Sequence, residues 1–204
     1  MHLQAPGAGQ VGVVIRPEHF ALMAMAAGPS HLVVRTSCRF RSPPATVWPL
    51  LYSSKMDRSS SLLFKLGVPQ PLECRLTDGV GGVGGERECV SDQGVVHQRI
   101  TAWTPEKELS FRMERTDVVS ARLVREVEET FDLTSTRRGL LVTRTTRVVL
   151  NGPCPLVTKI QLFVGLKQVH RYVFRNWQRL AKEHDRARDA GVPGDQSRSP
   201  SARS

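Results

Sequence analysis

The chain has 204 residues, of which 40% are hydrophobic and 24% charged, a composition that predicts one globular domain with a buried core. Its 29 lysines and arginines outnumber 19 acidic residues, and the formal charge of +10 is spread along the sequence. Nucleic-acid affinity requires clustered positive charge, so we expect no stable nucleic-acid binding. No apolar run approaches the ~20 residues that span a bilayer, so we expect at most peripheral membrane contact.

Four cysteines stand far apart in the sequence, at Cys38, Cys74, Cys89 and Cys154. They form no C-x-x-C pair, so their spacing predicts no zinc site. Because no secretory leader indicates an oxidising compartment, we expect free and mostly buried thiols in a cytoplasmic protein.

The two ends of the chain lack the pattern of folded segments. We expect residues 1–30 to be a disordered extension, or to result from a start codon placed before Met23 or Met25. Residues 191–204 are rich in glycine, proline and serine, which predicts a disordered tail. The folded domain is therefore predicted to span residues 31–190.

The predicted domain begins with a strand and two short helices. Residues 31–43 are rich in β-branched side chains and end at two prolines, which predicts a strand. Residues 44–54 carry apolar side chains at helical spacing, but Pro49 interrupts the pattern, so this helix is short or kinked. Residues 59–67 start with serines and end in glycine, which predicts a second short helix.

The rest of the domain is predicted to be a sheet followed by one long helix. Five segments alternate or are rich in strand-forming residues: 85–92, 95–103, 108–116, 125–136 and 139–150. Residues 156–188 then carry an apolar stripe at steps of three and four that runs from Phe163 through His170 to His184. This order predicts an α+β fold, in which a long C-terminal helix covers a curved antiparallel sheet of about six to seven strands. A ligand cavity is expected between sheet and helix.

The order of elements resembles the helix-grip fold of the START-like superfamily (SRPBCC), specifically its bacterial polyketide cyclase/dehydrase-type members. Four segments carry the resemblance over roughly residues 31 to 185: "PPATVWPLL", "FKLGVPQPLECR", "GVGGERECVSDQGVVHQRITAWTPEKELSFRM" and "HRYVFRNWQRLAKEH". They are similar to the first helix, the segment leading into the second strand, the central hairpin and the end of the gripping helix. The resemblance implies a hydrophobic pocket under the long helix. Relatives bind or transport lipids, sterols, quinones and polyketides, and some catalyse cyclisation, dehydration or hydrolysis, without a universal catalytic motif.

The segment "DGVGGVGGERE", residues 78–88, matches the G-x-G-x-x-G fingerprint of dinucleotide sites through Gly79, Gly81 and Gly84. That fingerprint requires a buried strand before it and a helix after it, because the helix N-terminus holds the pyrophosphate. Here a strand pattern follows. We therefore predict a tight turn between two strands, at the mouth of the cavity, and no nucleotide cofactor.

His170 is the most informative polar residue, because helical spacing places it on the apolar stripe. It is either a core histidine with structural hydrogen bonds or a ligand-facing group that orients a ligand oxygen or acts as acid or base. Arg87 and Glu88 alternate on a strand, so one of them is expected to point into the concave face. The other pocket-lining candidates, each also compatible with plain core packing, are His97, Trp103, Phe111, Met113, Phe131 and Trp177.

Three functions remain open from the sequence. The first is a non-enzymatic protein that binds an apolar small molecule, of lipid, quinone or polyketide type, between sheet and helix. The second is a cyclase or dehydratase in which His170 acts in the same cavity. The third is a basic module that binds anionic lipid or nucleic acid through the outer face of the helix. The sequence contains no metal-ligand spacing and no recognisable nucleophile motif, so no metal and no cofactor are expected. It leaves ligand identity and oligomeric state open.

Overall fold

The computed structural model describes residues 30–58, 61–118 and 123–190, apart from the Leu63 side chain. The predictions for residues 1–29 and 191–204 lie outside this part of the chain. The described elements are, in chain order, β1 (His31–Phe40), α1 (Pro44–Tyr52), β2 (Ser54–Lys55), α2 (Leu62–Lys65), β3 (Pro71–Leu76), β4 (Glu86–Ser91), β5 (Gly94–Thr104), β6 (Glu108–Thr116), β7 (Val124–Thr136), β8 (Gly139–Leu150) and α3 (Leu156–Asp189).

The strands form one curled antiparallel sheet in the order β1-β8-β7-β6-β5-β4-β3-β2. The predicted α+β class, the two short helices after the first strand and the long C-terminal helix are confirmed. The sheet has eight strands, rather than the six to seven predicted. The strands β2 and β3 were not predicted individually, because β2 has only two residues and β3 is a short strand that starts at Pro71.

Side chains from the inner face of the sheet and from α3 form the core. Alternation along each strand sends one set of side chains inward, and these are the buried ones on β6, β7 and β8. A row of aromatic rings crosses the interior from β1 to β6. The centroid distances are 6.3 Å for Phe40–Phe174, 5.9 Å for Phe174–Trp177, 5.5 Å for Trp177–Phe131 and 6.2 Å for Phe131–Phe111.

The middle of α3 packs against the rest of the fold, and its two ends do not. His170, Val173 and Trp177 are buried, as the apolar stripe predicted, whereas Phe163 is 39% exposed and His184 is also exposed. The apolar stripe is therefore buried in the middle of α3 and exposed at its two ends. The helix is longer than the surface that α1 and β1 offer it.

Two of the four cysteines form a disulfide, so the prediction of free thiols is wrong for Cys74 and Cys89. They occupy directly opposite positions on β3 and β4, with their Cα atoms 4.2 Å apart. The spacing of cysteines in a sequence does not reveal strand register, which is what brings these two together. Cys38 and Cys154 are free and partly buried.

Candidate functional site

The space between sheet and α3 is lined by aromatic rings together with an unusual number of buried polar groups. Among the described residues, the buried charged side chains are Arg87, Glu129 and Arg144, and buried His170 lies in the same interior. A charged group taken out of water is costly unless it is paired, so each of these side chains requires a physical account.

Arg87 points from β4 into the concave face and is 2% exposed. Its Nη1 donates to Gln98 Oε1 at 2.5 Å and its Nη2 to the Leu51 carbonyl of α1 at 2.9 Å. The guanidinium carbon lies 4.3 Å from the Phe111 ring centroid, a cation–π geometry. Burial lowers the pKa of Arg87 to about 10, so the group still carries its charge at neutral pH. Its Nε–H is buried and has no hydrogen-bond partner.

Glu129 on β7 and Arg144 on β8 form a buried ion pair between Glu129 Oε1 and Arg144 Nη2. Burial opposes ionisation of Glu129, but the charge and hydrogen bond of Arg144 outweigh it, so the pKa of Glu129 falls to about 2. Arg144 also lies 5.3 Å from the Phe131 ring centroid, and its Nε–H is buried without a partner. Glu129 is therefore an ionised carboxylate inside the fold.

His170 is fully buried on α3 and bridges two strands. Its Nε2 lies 2.8 Å from Thr146 Oγ1 and its Nδ1 lies 3.0 Å from Thr36 Oγ1. The Thr146 hydroxyl donates its one hydrogen bond to Glu129 Oε1 at 3.3 Å, so its oxygen accepts a hydrogen bond from His170 Nε2–H. Nδ1 then carries no proton and accepts a hydrogen bond from the Thr36 hydroxyl. Burial and the charge of Arg144 lower the pKa of His170 to about 3, so the imidazole is neutral.

Three residues of this interior were not among the predicted site residues, namely Glu129, Arg144 and Thr146. A signal for them exists in the alternation of the strands. Val127, Phe131 and Leu133 set the inward phase of β7, and position 129 falls on that phase. Arg144 likewise falls on the inward phase of β8. A charged residue on the same face of a strand as its apolar neighbours is expected to be buried. In a sequence this rich in arginine and glutamate, however, such a residue is easily taken for one of the many exposed charges of a strand.

The predicted site residues do not all share one location. Phe111, Phe131 and Trp177 lie in the interior with Arg87 and His170. Met113 is partly buried near the end of β6, opposite Gln98 in the strand register.

His97 is on the outer face of the sheet. Its Nδ1 lies 3.3 Å from Glu88 Oε1 and 3.5 Å from Arg115 Nη2. Glu88 is therefore the outward member of the alternating pair, and it also binds Arg75 at 3.0 Å.

Trp103 lies at one end of the interior, beneath the glycine-rich loop that joins β3 and β4. Its ring centroid is 5.2 Å from that of Trp48 and 5.0 Å from that of Tyr52. A Cβ atom at Gly81 would lie 2.3 Å from the Trp103 ring, so the loop backbone packs directly on the indole. Gly84 has φ +88°, which favours glycine, and the strand β4 follows the loop. The three glycines thus serve a turn and a close backbone approach.

The buried hydrophobic side chains of the interior form one packed cluster. A cleft of about 80 Å³ borders Arg87 and Gln98 through the β4–β6 strands, with Thr77, Glu86, His97, Glu114 and Arg115 as its other lining residues. This volume corresponds to a few water molecules rather than to a polyketide. Over the described residues, no group of three histidine, cysteine or acidic side chains is placed to hold a metal ion. In the same part of the chain, no helix has the length and apolar character needed to cross a membrane.

No family model matches the sequence, and no curated protein matches it. Solved structures match it well in shape. Zhui aromatase/cyclase from Streptomyces sp. R1128 is 12% identical with a TM-score of 0.56, and the match covers 78% of this chain and 98% of that one. Ara h 8.0201 is 14% identical with a TM-score of 0.54, covering 76% and 99%. A protein of Mesorhizobium loti is 19% identical with a TM-score of 0.52, covering 74% and 98%. The chain shares the fold of these structures, a helix-grip fold as predicted.

Proposed function

We propose that this protein binds an apolar small molecule between the curled sheet and α3. The observation that carries the proposal is the composition of this interior, where aromatic rings adjoin buried polar groups that are able to orient a ligand. Phe111, Phe131 and Trp177 would contact the apolar body, and burial of apolar area would drive binding at ~25 cal/mol per Å². Arg87 would fix its orientation through its unpaired Nε–H, whereas both ring nitrogens of His170 are already engaged within the fold.

A ligand of lipid or polyketide size requires the packed side chains of the interior to move apart. The first turns of α3 supply the means, because they are not held by the core. Leu156, Val157 and Ile160 are 72%, 66% and 53% exposed, whereas the buried contacts of the helix begin at Gly165. Movement of this end of α3 away from the sheet would open the interior towards His170, while Phe174 and Trp177 in the C-terminal half remain packed.

We propose binding rather than catalysis because of the state of His170. Both ring nitrogens are engaged by threonine hydroxyls, and the lowered pKa of about 3 keeps the imidazole neutral. Such a group positions its neighbours well and exchanges protons poorly near neutral pH. The similar Zhui aromatase/cyclase carries an enzyme activity in its name, so the fold itself is compatible with catalysis.

Tryptophan fluorescence tests the binding proposal directly. A short-chain ubiquinone is titrated into the protein, and we expect quenching of Trp177, one of three tryptophans, together with a rise in melting temperature. Trp177→Phe should remove the quenching, whereas the matched variant Trp103→Phe should keep it. If neither ubiquinone nor a panel of fatty acids and sterols raises the melting temperature, the proposal fails.

A second candidate function is favoured by the outer face of α3. Its first turns expose Leu156, Val157, Ile160, Phe163 and Val164, and its later turns expose Arg171, Arg175, Lys182 and Arg186. A groove of about 240 Å³ runs along the basic part. An apolar segment followed by a basic one on the same helix suits an anionic membrane surface better than a nucleic acid, which would leave the apolar side chains in water.

Vesicle sedimentation tests this second candidate. We expect binding to phosphatidylcholine vesicles that contain phosphatidylglycerol, weaker binding to phosphatidylcholine alone, and loss of binding at high salt. Ile160→Glu should reduce binding strongly, whereas Val33→Glu, at a 55% exposed apolar position on β1, should not. Equal binding to both kinds of vesicle, or equal effects of the two variants, would contradict binding of α3 to an anionic membrane surface.

A further inference from the structure

Two guanidinium groups in the interior each have an N–H that nothing in the described structure accepts. Arg87 and Arg144 are 2% and 8% exposed, and the Nε atom of each is buried without a hydrogen-bond partner. More than nine in ten buried polar groups in proteins are paired, because an unpaired one retains its full desolvation cost. These are the two such side-chain atoms in the described residues, and both belong to the same interior.

The buried charges are also unbalanced. Arg87 and Arg144 contribute two positive charges, and Glu129 contributes one negative charge. Both Arg144 and Thr146 bind Oε1 of Glu129. The two hydrogen-bond acceptors of Arg87, on Gln98 and Leu51, are neutral oxygens. A water molecule would satisfy an N–H group but not the charge, so the interior has one positive charge in excess that only an anion balances.

The surroundings of these groups are aromatic. Arg87 lies against the Phe111 ring and Arg144 near the Phe131 ring, and the two ring centroids are 6.2 Å apart. A molecule that contacts both rings would therefore have one guanidinium group next to each of them. Its apolar body would be desolvated by the rings, and its charged end would face the free N–H groups. Guanidinium N–H groups form strong charge-assisted hydrogen bonds with carboxylate and related oxyanions.

We propose that the ligand of this interior carries one oxyanion, such as a carboxylate or a sulfonate, on an apolar body, and that the free N–H groups of Arg87 and Arg144 bind it. This inference rests on the proposed binding function and specifies its ligand class. It predicts that a ligand with an oxyanion binds more tightly than a sterol, neutral lipid or uncharged quinone of similar apolar size. The oxyanion would supply the missing negative charge and an acceptor for the two unpaired donors.

A matched pair of dyes tests the proposal. The probe 1-anilinonaphthalene-8-sulfonate and its uncharged counterpart N-phenyl-1-naphthylamine share one aromatic body and differ by the sulfonate. We expect the sulfonate to bind ten- to a hundredfold more tightly, the range of a charge-assisted hydrogen bond. Arg87→Gln should reduce this ratio about tenfold or more while leaving N-phenyl-1-naphthylamine binding within about twofold. Arg112→Gln on the outer face of β6 and Arg175→Gln on the outer face of α3 are the controls.

A gain-of-affinity variant protects the test against simple misfolding. Glu129→Gln removes the carboxylate that competes for Arg144 and should tighten sulfonate binding severalfold, with no such effect on the neutral dye. A loosened fold also binds the sulfonate dye, so the comparison requires that Glu129→Gln keeps the melting temperature of the wild type. If both dyes bind equally, or if Arg175→Gln weakens sulfonate binding as much as Arg87→Gln does, the oxyanion proposal is overturned while the binding function stands. If neither dye binds, both proposals fail.

Discussion

His170→Gln is expected to make the free energy of unfolding less sensitive to pH between about 6.5 and 4.5. Glutamine has no titrating group, but its amide can donate to Thr146 and accept from Thr36, as the imidazole does. The substitution therefore removes the titration while keeping the polar bridge from α3 to β1 and β8. Some loss of stability at pH 7.5 is expected from imperfect geometry, so the informative quantity is the slope against pH.

The magnitude follows from the pKa of His170, which burial and the charges of Arg144 and Lys167 lower from 6.5 to about 3, against the opposing attraction of Glu129. The unfolded chain binds a proton near pH 6.5, whereas the folded protein binds it only near pH 3. Stability is therefore unaffected above pH 6.5 and falls as the pH drops below it. Each unit costs about 1.4 kcal/mol, so lowering the pH from 6.5 to 5 removes about 2 kcal/mol.

Urea unfolding at a series of pH values from about 7.5 to 4.5 measures this slope in the wild type and in His170→Gln. His184→Gln is the control, because His184 lies exposed near the end of the same helix. Glu129 also makes the free energy of unfolding sensitive to acid. Its pKa is 4.5 in the unfolded chain and about 2 in the folded protein, so the stability it contributes is lost only as the pH falls below about 4.5, at the lower edge of the measured pH range. An unchanged slope in His170→Gln would show that a buried neutral imidazole is not what makes the protein acid-sensitive.

Three further changes test the packing. Gly81→Ala should destabilise the protein by about 1–3 kcal/mol and alter its near-ultraviolet circular dichroism, because the new methyl group would overlap the Trp103 ring. Phe131→Ala should cost about 3–5 kcal/mol in urea unfolding, since the ring is 1% exposed and central to the aromatic row. Reduction of the Cys74–Cys89 disulfide, or Cys74→Ser, should lower stability by about 3 kcal/mol for a loop of 15 residues, and an equal midpoint with and without reductant would contradict this.

The fold was predictable because local patterns and global architecture agree. Period-two alternation in β6 and β7 and the three-and-four spacing in α3 each determine one amphipathic surface, and few arrangements bury all of them. Strand β3 was harder to recognise because its place in the sheet depends on pairing with β4. The same pairing brings Cys74 and Cys89 together in the disulfide. The register between two strands cannot be read from the sequence of either strand alone.

The candidate site was only partly predictable for a related reason. Helical spacing alone was enough to place His170 inward, and alternation restricted the inward choice to Arg87 or Glu88. The pairing of Glu129 with Arg144 depends on which residues of β7 and β8 share a level, and the exposed ends of α3 depend on how far the helix extends beyond the sheet. Neither relation is encoded at a fixed spacing along the chain.

The buried polar atoms that have hydrogen-bond partners and those that have none have different roles in this interior. Apolar packing is non-directional, so the bonds from His170 to Thr36 and Thr146 specify where α3 lies along the sheet. Those groups have their hydrogen-bonding capacity met within the fold, and architecture is enough to explain them. The Nε atoms of Arg87 and Arg144 are not explained in this way, because they add desolvation cost and no contact. A fold that needed only stability would do as well with apolar side chains in place of Arg87 and of the whole Glu129–Arg144 pair, so we look for the contribution of the two arginines in the binding that we propose.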